Sequence, residues 1–115
     1  MNIVQGEGRE VASVIPLIEQ QHAEITAQCR RFGVRRLDVF GSATTNRFRD
    51  DTSDIDFLVE FLQPNSHGYA DQYFGFKETL EALLGRPVDL VVASAIQNPY
   101  FRQSVDETRT LLYAA

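Results

Sequence analysis

Residues 54–61 carry the pattern that most restricts how this chain can fold. Apolar residues alternate through the segment, and the apolar set is Ile55, Phe57, Val59 and Phe61. Because successive side chains of a strand point to opposite faces, this set forms one buried face. Asp54 and Asp56 share the opposite face. The segment therefore predicts a strand in a sheet that is covered on one side and presents carboxylates on the other.

Apolar spacing and turn residues predict the other elements. In chain order, we predict a helix over about 14–32, strands over 36–41 and 54–61, a helix over 69–84, a strand over 88–92 and a short helix near 98–104. Gly33 and Gly85 are expected to end the two long helices. The tail 110–113 fits either a helical extension or an edge strand.

This order of elements predicts an α/β (α+β) fold with a small mixed sheet and helices packed mainly on one side. The short connection between the first two strands favours an antiparallel pair. The helix between the second and third strands permits a parallel crossover. A length of 115 residues fits one domain, residues 1–115, in which residues 1–10 are expected to be poorly ordered.

Composition narrows the class of protein. The net charge of −5 argues against direct nucleic-acid binding, which needs a positive surface. The apolar runs are too short to cross a bilayer, and no signal peptide opens the chain. Cys29 is the single cysteine, so no internal disulfide is possible. A cytoplasmic location is the expectation.

The candidate site combines a small turn with three acids. Gly41 and Ser42 follow the first strand, and eleven residues separate Ser42 from Asp54. On a strand, the Cα atoms of Asp54 and Asp56 lie about 6.6 Å apart. Their carboxylates could bridge two Mg²⁺ ions, with Asp89 on an adjacent strand completing the set and helping to deprotonate an attacking hydroxyl.

The turn has the composition of a phosphate site. Gly41 permits close approach of the backbone to phosphate, and Ser42 offers a hydroxyl and an N–H. Arg47 and Arg49 could stabilise the charge of a triphosphate, although a solvated loop explains them equally well. A Gly-Ser turn and an Asp-x-Asp strand are each common alone. Together with Asp89 they predict a site for Mg²⁺ and a nucleoside triphosphate.

Four segments, residues 40–42, 53–59, 84–91 and 98–102, together resemble the minimal nucleotidyltransferases (MNT) of the DNA polymerase β-like superfamily. The resemblance implies the polymerase β-like nucleotidyltransferase fold. It also implies Mg²⁺-dependent transfer of a nucleoside monophosphate to a hydroxyl, with release of pyrophosphate. The residues that match its motifs are Gly41 and Ser42 for phosphate, and Asp54, Asp56 and Asp89 for the metal ions and catalysis.

The same resemblance implies a partner. It implies an antitoxin of the type that can transfer AMP, with ATP as the expected donor, to a tyrosine of a helical HEPN ribonuclease toxin. Two alternatives stay open at this level: neutralisation of the partner by contact alone, and transfer to a small molecule such as an aminoglycoside. The sequence is also compatible with an oligomer.

Overall fold

The computed structural model of the protein describes residues 14–45, 54–63 and 68–115. The helices are α1 (Pro16–Gln20), α2 (His22–Arg31), α3 (Tyr69–Leu84) and α4 (Pro99–Thr108), and the strands are β1 (Val34–Phe40), β2 (Ile55–Phe61), β3 (Val88–Val92) and β4 (Thr110–Ala114). Short 3₁₀ helices follow β1 and β3. The predicted N-terminal segment 1–10 lies outside the described residues. Within the described ranges, no helix is long and apolar enough to span a membrane.

Most predicted elements are confirmed, and the largest differences concern the first helix, the start of β1 and the end of α4. The expected single helix over 14–32 is two helices, because Gln21 leaves helical geometry at φ −98° and ψ 8°. Its backbone still bonds on both sides, to the carbonyl oxygen of Leu17 and from the N–H of Ile25. Strand β1 begins at Val34 rather than 36, and α4 extends four residues past the predicted end at 104.

The sheet has the order β3-β2-β1-β4. Strands β1 and β2 pair antiparallel, while β2 and β3 pair parallel across the α3 connection, so both predicted pairings are confirmed. The tail is an edge strand: β4 pairs antiparallel with the free edge of β1. The mixed sheet predicted from the element order is therefore present.

The two faces of the sheet are covered unequally. The larger core lies between α1–α3 and one face, and its most deeply buried residues include Ile18, Ile25, Leu37, Phe57, Phe76 and Leu80. On the opposite face, Val105 of α4 packs with Phe40, Leu58 and Ala93. Three of the four described helices thus share one side, as predicted, and α4 leaves part of the other side open.

His22 joins the helical layer to the edge strand. Its Nε2 lies 2.8 Å from the carbonyl oxygen of Leu112 in β4, and the side chain is half-buried. The contact links α2 to β4.

A buried carboxylate holds the open side together. Asp38 in β1 has no exposed surface, and its Oδ1 accepts from Arg36 Nε at 2.9 Å. Its Oδ2 accepts from Arg109 Nε at 2.6 Å. Because Arg109 connects α4 to β4, this ion pair fastens both elements to the central strand. The strand predicted over 36–41 carried no expectation of a buried charge at Asp38.

We expect Asp38→Asn to lower the free energy of unfolding by roughly 3 kcal/mol, because it leaves two partly buried arginines without their counter-charge. Urea denaturation followed by circular dichroism measures the change. Asp106→Asn is the matched control: Asp106 contacts the same Arg109 but its side chain is 50% exposed, so we expect a change within about 0.5 kcal/mol. Equal losses in the two variants would contradict the structural role of Asp38.

Candidate active site

The three predicted aspartates lie at one end of the parallel strand pair. Asp56 of β2 and Asp89 of β3 are direct register partners, so their side chains share a face of the sheet. Asp54 immediately precedes β2. Asp54 and Asp89 are exposed, and Asp56 is half-buried. The pleat and the register together bring the carboxylates to the side of the sheet that α4 only partly covers.

The acids interact with one another. Burial raises the pKa of Asp56 from its ordinary value of 3.8 to about 6, and the charges of Asp89 and Asp54 add to the rise. Such a shift arises when carboxylates crowd a site of limited solvation. Perturbed carboxylates of this kind are typical of functional sites.

The donor set suits a hard divalent cation. Carboxylate oxygens are the ligands that Mg²⁺ prefers, and a cation would offset the repulsion that raises the pKa of Asp56. Across residues 14–45, 54–63 and 68–115, however, no three His, Cys, Asp or Glu side chains form a group that could hold a metal ion. The aspartates fit Mg²⁺ by the chemistry of their oxygens, but the structure does not bring all three into one metal-binding group.

Gly41 lies directly against Asp56. Register pairing of Phe40 with Asp56 places the next residue, Gly41, beside that carboxylate. Gly41 has φ +76°, and a Cβ there would lie 2.6 Å from Asp56 Oδ2. Only glycine therefore meets both the backbone and the space requirements at this position. The structure thus places the predicted turn against one of the three predicted acids, Asp56.

Local hydrogen bonds shape the turn. Residues Gly41–Thr44 form one 3₁₀ turn. Thr44 Oγ1 donates to the carbonyl oxygen of Gly41 at 2.8 Å, and Thr45 Oγ1 donates to that of Ser42 at 3.1 Å. These bonds occupy backbone acceptors on the inner side of the turn and fix its curvature. The predicted roles of Arg47 and Arg49 fall outside the described residues.

A cavity of about 380 Å³ adjoins this turn. Its lining consists of Phe40, Gly41, Ser42, Thr45, Asp56, Phe101, Ser104, Glu107 and Thr108. Asp54 and Asp89 lie outside the lining. The cavity therefore joins the turn to the half-buried member of the acid set, and its other wall is α4.

The α4 wall is the part of the site that the sequence analysis missed. The predicted helix ended at 104, so Glu107 and Thr108 were not considered. The signal for the start of the helix was present: Asn98 Oδ1 accepts from the N–H groups of Tyr100 and Phe101, and Pro99 follows the cap. The ring of Phe101 meets Phe40 edge-on at a centroid distance of 6.2 Å.

A second cavity, of about 460 Å³, lies near Phe32, Leu62 and Gln72. Its lining contains no carboxylate. The cavity beside Gly41 differs from it in combining a predicted acid, Asp56, with the Gly41–Ser42 turn. For this reason we place the candidate active site there.

Comparison with known proteins agrees with the geometry. Residues 23–112 match the nucleotidyltransferase domain family. A candidate protein adenylyltransferase of Methanocaldococcus jannaschii is 36% identical over 95 residues, which cover 83% of this chain and 91% of that protein. A solved structure of a candidate minimal nucleotidyltransferase superposes with a TM-score of 0.65 at 30% identity, covering 80% of this chain and 89% of the other.

A chain from a solved toxin–antitoxin complex shares the fold. The complex holds a tri-AMPylated HEPN toxin of Shewanella oneidensis and an MNT antitoxin. The TM-score is 0.59 at 19% identity, with coverage of 84% of this chain and 72% of that one. At this identity the likeness concerns the fold alone.

This chain belongs to the nucleotidyltransferase domain family, and its fold is that of the minimal nucleotidyltransferases. Its enzyme class is accordingly that of a nucleotidyltransferase. The resemblance of the turn and acid motifs predicted this family and this fold.

Replacing Asp56 with Asn should stabilise the protein in EDTA at neutral pH. Because the pKa of Asp56 is about 6 in the folded chain against an ordinary 3.8, the folded state binds more protons between these values. Wild-type stability should therefore fall as pH rises from about 4 to about 6. Asn carries no charge and escapes this loss.

Urea denaturation across this pH range measures the effect. We expect the gain of Asp56→Asn to be small near pH 4 and to reach a plateau above about pH 6. Asp71→Asn, at an exposed aspartate of α3, is the control and should show no such rise. A gain that is independent of pH would contradict the crowding of the acids.

Gly41→Ala should destabilise the protein more than Gly85→Ala. Both glycines have positive φ, which costs a larger residue about 1–3 kcal/mol. Only at Gly41 would the added methyl group meet a side chain, since nothing lies within 4 Å of the corresponding position at Gly85. Combining Gly41→Ala with Asp56→Ala should remove the excess loss. Equal losses in the two single variants would show that Gly41 is not in contact with Asp56.

Proposed function

We propose that this chain is a Mg²⁺-dependent protein adenylyltransferase that acts as an antitoxin. It transfers AMP from ATP to a tyrosine hydroxyl of a HEPN-type helical toxin. The observation that carries the proposal is geometric: Asp56 is the register partner of Asp89 and lies directly beside the Gly41 turn. We treat residues 1–115 as one catalytic domain, located in the cytoplasm, where ATP is available.

In the proposed mechanism, the acids bind the metal ions and the turn binds the phosphates. Asp54, Asp56 and Asp89 would hold the metal ions, and bound Mg²⁺ would supply the positive charge that offsets the triphosphate and the departing pyrophosphate. Gly41 presents no side chain that would block the phosphates. Ser42 would donate its N–H and hydroxyl to phosphate oxygens.

The proposed reaction is a displacement at the α-phosphorus. The oxygen of the acceptor hydroxyl forms a bond to the α-phosphorus, and the bond from that phosphorus to the bridging oxygen of the β-phosphate breaks. Pyrophosphate leaves. Asp89, which is exposed on the same face as Asp56, accepts the proton of the hydroxyl. Arg47 and Arg49 remain candidates for contacts with the triphosphate.

Two comparisons support a protein acceptor. The Methanocaldococcus jannaschii relative is described as a candidate protein adenylyltransferase. The fold is also shared with a chain from a complex of a tri-AMPylated HEPN toxin and an MNT antitoxin. The structure offers an apolar surface beside the cavity, since Tyr100 is 81% exposed and Phe101 is 41% exposed. Such aromatic residues are common at protein interfaces.

The test is transfer of label from [α-³²P]ATP to a purified HEPN-type protein encoded beside this gene. We expect labelling to need Mg²⁺ and to fall by about 100-fold or more in Asp56→Asn and Asp54→Asn, because each removes charge at the reacting phosphates. Asp71→Asn, an exposed change of the same kind on α3, should retain full activity. Replacing the acceptor tyrosine by Phe should abolish labelling of the partner.

Other outcomes separate the alternatives. Equal labelling by the wild type and Asp56→Asn would overturn the mechanism. Protection of cells by a variant lacking all three aspartates would favour neutralisation by contact alone. Labelling of an aminoglycoside, with none of the protein, would favour a small-molecule transferase.

A further inference from the structure

The last residue of α4 is bonded to the first residue of the phosphate turn. Thr108 Oγ1 accepts a hydrogen bond from the Gly41 N–H at 2.8 Å, across 67 residues of sequence. Thr108 also lines the cavity that contains Gly41, Ser42 and Asp56. This contact is a direct hydrogen bond from α4 to the turn, and its donor is the residue with φ +76°.

Thr108 is held in place from both sides. On one side, Val105 is buried to 1% exposure against the sheet, and its carbonyl oxygen accepts from the N–H of Arg109 at 2.9 Å. On the other side, the Arg109 side chain bonds to the buried Asp38 at 2.6 Å. Asp38 and Gly41 are close in sequence, at the centre and just beyond the end of β1. The hydroxyl of Thr108 is therefore fixed relative to the strand that leads into the turn.

The bond also determines which donors the turn can offer. The Gly41 N–H points to Thr108 and is occupied. The groups left for phosphate begin at Ser42. A shift of Gly41 would move Ser42 with it, and would change the distance between the turn and the Asp56 carboxylate.

We propose that Thr108 is a positioning residue that sets the Gly41–Ser42 turn for the triphosphate of the nucleotide. The inference rests on the proposed function, because it assigns the turn to phosphate. Thr108 acts through Gly41 and not on the reacting atoms. Small displacements of bound groups cost large factors in rate, so the effect of losing the hydroxyl should be measurable in nucleotide use.

The test compares Thr108→Val, which keeps the shape and removes the acceptor, with Thr108→Ser, which keeps the hydroxyl. Without nucleotide, the Gly41 amide proton in ¹H–¹⁵N NMR spectra should move upfield and exchange faster in the Val variant. It should stay near its wild-type position in the Ser variant. This measurement reports the hydrogen bond alone.

With ATP and the protein acceptor, Thr108→Val should raise KM for ATP and lower kcat/KM about tenfold, whereas Thr108→Ser should stay within about twofold of the wild type. A purely structural loss would reduce the amount of active protein, and would lower the apparent kcat without changing KM. The rise in KM and its rescue by Ser therefore identify positioning.

Several results would overturn the proposal. These are an unchanged Gly41 amide in Thr108→Val, an unchanged KM in that variant, or an equal defect in Thr108→Ser. If Thr108→Val does not fold, rapid exchange of the Gly41 amide in the wild type overturns the proposal by itself. If the wild type transfers no label, the proposed function fails. An ATP titration followed at the Ser42 amide, in the wild type and Thr108→Val, then decides the positioning role separately.

Discussion

The open side of the sheet depends on the ion pair between Asp38 and Arg109. A carboxylate without exposed surface is stable only if it is paired and hydrogen-bonded, and here two arginines supply five-donor side chains to it. Because Arg109 lies between α4 and β4, satisfying the charge also fixes where the helix ends and the edge strand begins. The hydroxyl of Thr108 then reaches Gly41, and Gly41 lies against Asp56. The ion pairing of Asp38 in β1 thus helps to fix the positions of residues at the candidate site.

The site itself works against stability. Asp56 is partly desolvated and lies near two further acids, and its raised pKa records that the ionised form is unfavourable in the folded chain. The large core on the other face, formed by α1–α3 and the sheet, offsets this cost. Acid crowding and tight packing are therefore separated onto opposite faces of β2. The alternation of its side chains makes that separation possible in one strand.

The helix and strand boundaries that depend on local sequence patterns were predicted correctly. Helix α3 and strand β3 matched at both ends, since Gly85 supplies a left-handed stop between them and the apolar spacing on either side is regular. The break between α1 and α2 at Gln21 is not marked by a glycine or a proline, so the sequence gives no local signal for it. The end of α4 was missed because its last turn is polar. Asp38 was missed because its partner Arg109 is 71 residues away, and no local pattern reveals such a pair.

The parallel register between β2 and β3 has a consequence for how such a site can vary. Asp56 and Asp89 are opposite one another, so the spacing of their backbones is the inter-strand distance of about 4.8 Å, which ladder hydrogen bonds maintain. Substitutions at the surface cannot alter that distance. Helix α4, by contrast, lines the cavity at positions such as Phe101, Ser104 and Glu107. The shape and polarity of this wall can therefore change along one helix while the acid pair keeps its geometry.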